Sequence, residues 1–326
     1  MFKKTFLFIT TILVATSASN GYVAQDLFKG AIPITQFLDW YKYAEHYVHL
    51  KGLIILDLIP STFLIVQLVL FFREKQMIKT LFAFLSLLAN CIGVFIVIQF
   101  AYPIASQMIG WTTDNLPSNW VTLKDDWIKY IGIYSILGIL GLAFFLITYF
   151  LPAKKNTDPK KLHPILNVVK NTLLFVITFI SLMGAARLYD FIFFPISYKI
   201  SGITFIEMHR PVDLAMRSIG PIIFTIVLSI YVILGILYFF EKSRNKGVLI
   251  VVSIIFLLSD TFIAFQGNRP LNDLFLTWTP STIPSNWSSL RDEWLGYHFY
   301  RDIFITLGVF TVLLLYFVPK RKTSTV

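Results

Sequence analysis

Apolar residues run along this chain in eight long stretches, at about 5–24, 52–72, 78–99, 128–151, 167–190, 218–240, 247–266 and 299–318. Each comes close to the roughly 20 residues that a helix needs to cross about 30 Å of hydrocarbon. None alternates apolar and polar positions with a period of two, as barrel strands do. Backbone groups in lipid must be satisfied within their own segment, so the stretches read as transmembrane helices. Composition agrees: 56% of residues are hydrophobic, 17% aromatic and 14% charged, where a soluble domain carries about 25% charged. Mean hydropathy is +0.71.

Charge sets the expected orientation. Sixteen of the 28 basic residues, but three of the 18 acidic ones, fall in alternate connections and at the termini. The basic groups are Lys3 and Lys4; Arg73, Lys75 and Lys79; Lys154, Lys155, Lys160, Lys161 and Lys170; Lys242, Arg244 and Lys246; and Lys320, Arg321 and Lys322. The acids among them are Glu74, Asp158 and Glu241. Basic loops stay cytoplasmic, so both termini are expected in the cytoplasm and the longer connections 25–51, 100–127, 191–217 and 267–298 outside a cell membrane. The net charge of +10 then belongs to membrane orientation rather than to nucleic-acid binding, and no zinc knuckle or P-loop is present. The expected partners are membrane lipids and a small lipophilic substrate, with no nucleic acid; protein partners are not legible. The one cysteine, Cys91, excludes an intramolecular disulfide.

Residues 111–130, WTTDNLPSNWVTLKDDWIKY, recur as 278–297, WTPSTIPSNWSSLRDEWLGY, with ten of twenty positions identical and no gap. The same offset of 167 aligns Phe72-Arg73-Glu74-Lys75 with Phe239-Phe240-Glu241-Lys242, and Thr5, Leu7, Phe8 and Tyr22 with Thr172, Leu174, Phe175 and Tyr189. The chain therefore reads as two parallel four-helix repeats, 1–155 and 167–326, joined by a cytoplasmic linker at 156–166. The expected fold class is all-α integral membrane: eight transmembrane helices as two parallel four-helix-bundle repeats, with short amphipathic outer helices. Residues 1–19 also fit a cleaved signal peptide, with Lys3-Lys4, a short apolar run and small residues at 15–18. Their counterpart in the second repeat is an internal span, which argues for a retained first helix.

Within the repeated motif, Pro-Ser-Asn stops one segment and offers a helix cap at Ser118 or Asn119, and at Ser285 or Asn286. Trp120, Leu123 and Trp127, and then Trp287, Leu290 and Trp294, form an apolar stripe on the helix that follows. Tryptophans at a membrane boundary suit an aromatic belt, so these residues are first of all an interfacial helix that feeds the fourth span of each half.

The halves differ in chemistry. At about 100° per residue, Arg291, Trp294, His298 and Arg301 share one helix face in the second copy. The first copy has Ile131 and Tyr134 at the last two of these positions. Upstream, Asn268-Arg269-Pro270-Leu271-Asn272 stands where the first half has Ala101-Tyr102-Pro103-Ile104-Ala105. The second half resembles a family of four-helix membrane proteins that includes the fungal anthrone oxygenases. The resemblance rests on Asn268, Pro270, Leu271 and Asn272, followed by Trp287, Leu290, Arg291, Trp294, His298 and Arg301. It implies cofactor-free oxidation of an activated, lipid-soluble aromatic by O2. His298 is then the expected general base. Arg301 and Arg291 stabilise the oxyanion, Asn268 and Asn272 orient the substrate, and Trp287 and Trp294 wall the pocket.

Asp57, Asn90, Arg187, Asp190 and Asp260 fall in or near spans. Charges at such depth face a cavity or a partner, and Asp260 joins the expected second-half pocket. Arg187 and Asp190 are spaced to pair on one helix. His46 and His49 with Glu45, and His209, are of metal-ligand type, but no metal signature is present, and His163 follows the linker. Two other function classes fit the same pattern. One is a membrane module that binds or moves a small molecule without turnover. The other is an accessory subunit that docks through its outer tryptophans.

Overall fold

The structure is a computed structural model that describes residues 6–15, 33–48, 57–151, 164–184 and 196–318. The described residues form helices and no strands. In chain order they are α1 (Phe6–Ala15), α2 (Ile34–Val48), α3 (Ile59–Arg73), α4 (Met77–Met108), α5 (Trp120–Phe150), α6 (Pro164–Gly184), α7 (Gly202–Phe240), α8 (Arg244–Thr277) and α9 (Trp287–Leu314). From α4 to α9, six helical stretches are long and apolar enough to cross a membrane, and α1 and α3 are shorter apolar helices. The chain is thus a multi-pass, all-helical membrane protein. Its large exposed side chains, such as Phe72, Phe95, Phe239 and Phe262, are the ones that lipid would cover.

The helices outrun the apolar stretches. Hydropathy falls near residues 99, 218 and 266, yet α4 continues to Met108, α7 begins at Gly202, and α8 continues to Thr277. Much of 100–127, 191–217 and 267–298, expected as connections, is therefore helix. Hydropathy marks where lipid ends, whereas a helix ends where its backbone is capped. At about 1.5 Å per residue the 39 residues of α7 extend well past the hydrocarbon. Both α4 and α8 carry a π-turn, at Val97–Ala101 and Ala264–Asn268.

Two tight turns close one end. Lys75 and Lys242 adopt φ of 55° and 54°. The N–H of Gln76 reaches Phe71 O and that of Ser243 reaches Tyr238 O, each at 3.0 Å, which is the backbone pattern of a left-handed helix stop. Arg73, Lys79, Arg244 and Lys246 lie at the same end. All seven tryptophans lie on segments at the opposite end, where Trp40, Trp127 and Trp278 are buried in one cluster with Phe205 and Phe275.

Helix α4 packs along α5 and α8 along α9, with α3 against α4 and α7 against α8. A second cluster joins Leu64, Leu142 and Phe145 to Leu182, Val309 and Leu313 in the middle of the molecule. Several contacts recur 167 residues on. Tyr149 pairs its hydroxyl with Thr11, and Tyr316 pairs with Thr178. Rings Phe8–Phe317 (5.8 Å) and Phe150–Phe175 (5.6 Å) meet edge to face, and Tyr149 meets Tyr316 at 5.0 Å. At the basic end Lys170 pairs with Glu241, both nearly buried.

Helix α2 docks on the start of α7. Asp39 Oδ2 accepts from Ser201 N (2.9 Å) and Thr204 Oγ1 (2.7 Å), while Ser201 caps α7 through Thr204 N. Loss of one such cap bond costs about 1 kcal/mol. We expect Asp39→Ala to lower stability by about that amount in thermal unfolding of the detergent-solubilised chain.

Candidate functional site

The π-turn of α8 shapes the site. One extra residue per turn rotates Asn268 back toward the face that carries Asp260, and such turns recur at functional positions. Both residues meet Arg301 of α9. Arg301 Nε donates to Asp260 Oδ1 at 2.8 Å and Nη1 to Asn268 Oδ1 at 3.3 Å. The Asp260 and Arg301 side chains are 14% and 15% exposed, so the pair is largely withdrawn from its surroundings. Beside them Asp302 is fully buried.

The bonds continue outward. Asn268 Nδ2 donates to Trp294 O at 3.0 Å, and Trp294 Nε1 donates to Asn272 Oδ1 at 2.6 Å. Asn272 Nδ2 donates to Asp213 Oδ1 of α7 at 2.9 Å. That fixes the amide with Oδ1 as acceptor, and this oxygen also lies 3.0 Å from His209 Nε2. His209 Nε2 must then carry the proton of that bond. Arg217 closes the chain with Nε on Asp213 (2.7 Å) and Nη2 on Asp273 (2.6 Å). Arg210 Nη2 donates to Trp278 O at 2.5 Å and ties α7 to the end of α8.

Aromatic rings enclose this chain. Trp294 sits between two histidines, with ring centroids 5.1 Å from His209 and 4.0 Å from His298. Phe205 and Phe275 pack on His209 at 5.7 and 5.3 Å. Tyr297 lies directly on the backbone of Gly267, where a β-carbon would overlap its ring. A shallow apolar depression lined by Ile255, Leu258, Ser259, Phe262, Ile263 and Phe304 lies on the exposed face of α8 and α9, and neither Asp260 nor Arg301 lines it.

Of the residues expected from sequence, Asp260, Asn268, Asn272, Trp294 and Arg301 come together, with His298 against Trp294. Arg291 stands apart. It is sandwiched over Trp287 (4.8 Å) and Tyr198 (5.4 Å) and paired with Asp292 at 2.8 Å. Ten residues separate it from Arg301, about 15 Å along a helix. Trp287 packs on Gly202 and near Phe205, away from the amides. His209, Asp213, Arg217 and Asp273 were not anticipated in this role. Their signal was present as a spacing of four, His209-x-x-x-Asp213-x-x-x-Arg217, in a stretch read as a connection.

At the positions 167 residues earlier stand other groups. Gly93, Ala101 and Ala105 stand where the second half has Asp260, Asn268 and Asn272. Tyr134, in the place of Arg301, donates to buried Asp57 Oδ1 at 2.8 Å. Trp127 meets Phe37 and Tyr41 instead of histidines. Arg187, Asp190, His49 and His163, and the side chain of His46, lie outside the described residues. Among the described residues no three His, Cys, Asp or Glu side chains converge as metal ligands would. The chain matches no family model, no curated protein and no solved structure.

Proposed function

We propose that the chain is an eight-helix protein of the cell membrane, made of two parallel four-helix halves, whose second half is a cofactor-independent, oxygenase-like centre for a lipophilic aromatic. The twofold arrangement is supported by the contacts that recur with the halves exchanged, Phe8–Phe317 against Phe150–Phe175, and by Tyr149 meeting its counterpart Tyr316. The bias of basic residues supports cytoplasmic termini and an outward-facing site.

The observation that carries the functional reading is the unbroken chain of bonds from Asp260 through Arg301, Asn268, Trp294 and Asn272 to Asp213, Arg217 and Asp273. Of these, Asp260 and Arg301 fall within the apolar stretches, and a largely buried ion pair at that depth supports a site that does chemistry or binds. In this reading His298 removes a proton from an activated ring carbon, and Arg301, held in place by Asp260, faces the oxygen that becomes anionic. Asn268 and Asn272 hold Trp294 as the wall of the pocket. The methylene of an anthrone loses two hydrogens and gains one oxygen from O2, and the second oxygen leaves as water.

The test is a thermal-shift screen of lipophilic phenols, anthrones and quinones on wild type and His298→Ala. We expect a ligand that raises the melting temperature of wild type and not of the variant. Equal shifts in both proteins would remove His298 from the site. A second reading, binding without turnover, draws on the saturation of the Arg301 and Asn272 bonds within the protein. It predicts the same ligand shift with no oxygen uptake.

A further inference from the structure

The first half holds buried polar groups that the second-half site does not use. Gln67 of α3 and Ser86 and Asn90 of α4 are 3%, 0% and 9% exposed. Gln67 Oε1, Ser86 Oγ and Asn90 Oδ1 have no hydrogen-bond partner, and neither has Gln76 Oε1 at the start of α4. Buried polar atoms without a partner are costly, and in lipid no solvent offsets that cost. Four such atoms in one half therefore call for an occupant.

Their placement forms a row. On α4, residues 76, 83, 86, 90 and 93 fall within a band about 100° wide at helical spacing. This face is turned inward: Ser86 lies against Gly141 of α5, and Gly93 lies against Tyr134. The turn at Lys75 folds α3 back along α4, which brings Gln67 to the level of Ala83, also buried. The row starts at Gln76 in the basic end and leads past Gln67, Ser86 and Asn90 to the buried Asp57–Tyr134 bond. From the level of residue 83 to that of residue 93 it spans about 15 Å.

In the second half Tyr238 Oη is also buried without a partner, but it does not extend into a row along α8. Leu234 and Leu257 stand at the positions of Gln67 and Asn90, and Ser253, at the position of Ser86, is bonded to Thr311 at 2.7 Å. At these positions the second half is apolar or internally bonded, whereas the first half presents hydrogen-bond acceptors. We propose that the first half contains an internal hydrated site, a path of waters donating to Gln76, Gln67, Ser86 and Asn90 that connects the basic end to Asp57. Oxygen acceptors beside a carboxylate bind water or a small monovalent cation of similar size. This site is independent of the second-half chemistry.

Silver ion is a probe of that size and charge. Cys91, exposed on the outside of α4, is first replaced in Cys91→Ser. Ser86→Cys, Asn90→Cys, Ser253→Cys and Leu257→Cys are then made singly, exposed to silver ion in detergent, and alkylated with a maleimide after denaturation. We expect the first-half thiols to become protected at least tenfold faster than the second-half pair. Equal rates in the two halves overturn the proposal. Ser86→Cys changes one atom, so the comparison with Ser253→Cys stands even where Asn90→Cys fails to fold.

Discussion

Replacing Arg301 by methionine is expected to cost about 3–5 kcal/mol, and replacing Asp260 by leucine in the same chain to restore most of the loss. The single change strips Asp260 of its Nε bond and Asn268 Oδ1 of its Nη1 bond, in a place where both side chains of the ion pair are nearly buried. An uncompensated buried carboxylate is far more costly than an absent pair, because desolvation of the charge is no longer offset. The double change removes the charge and its requirement together, and the first half manages with uncharged Gly93 and Tyr134 at the same two positions. Unfolding in detergent, followed by helical signal, reads both variants. A double variant as unstable as Arg301→Met alone would show that the pair is not the unit that matters.

The second large effect is expected at Gly267. A β-carbon there would overlap the ring of Tyr297, which lies on the π-turn backbone. Ring and backbone cannot both stay, so Gly267→Ala should cost about 2–3 kcal/mol through overpacking. It should also shift Asn268, one residue on, out of reach of Arg301 and Trp294. The counterpart in the first half explains why a larger residue is tolerated there. Phe100 occupies that position and stacks on Tyr130 at 5.1 Å, so the tyrosine stands off from the backbone. With Tyr297→Ala already present, the Gly267→Ala step should cost close to nothing. A double-mutant cycle measures this coupling, and a cost unchanged by Tyr297→Ala contradicts the steric account.

Much of this is legible in the amino-acid sequence. Apolar stretches of span length disclose the helices, because lipid demands them. The positions at which the repeated motif exchanges apolar for polar residues point to Asn268, Asn272 and Arg301, and the rule that charge within a span faces a cavity or a partner points to Asp260. These do share bonds, because they lie on two helices that pack along each other. Arg291 misled for the same reason that it attracted notice. Helical spacing puts it on the face of Arg301, but spacing is blind to the three turns of rise that separate them and to the Tyr198 and Trp287 rings that take it up. His209, Asp213 and Arg217 were passed over because polarity in 202–217 was read as the end of a helix rather than as one polar face of a continuing one. The π-turns left no trace in hydropathy, since a one-residue change of backbone pitch alters no side chain's character.

We propose that the bonded chain around Arg301 and Trp294 serves oxidation by O2. The most direct measurement is oxygen uptake by the purified chain given an anthrone under isotopically labelled dioxygen. We predict uptake with one labelled oxygen in the product ketone, and at least a hundredfold slower uptake by folded His298→Ala, the order of a lost general base. No uptake above the protein-free rate, or equal uptake by wild type and His298→Ala, would contradict it.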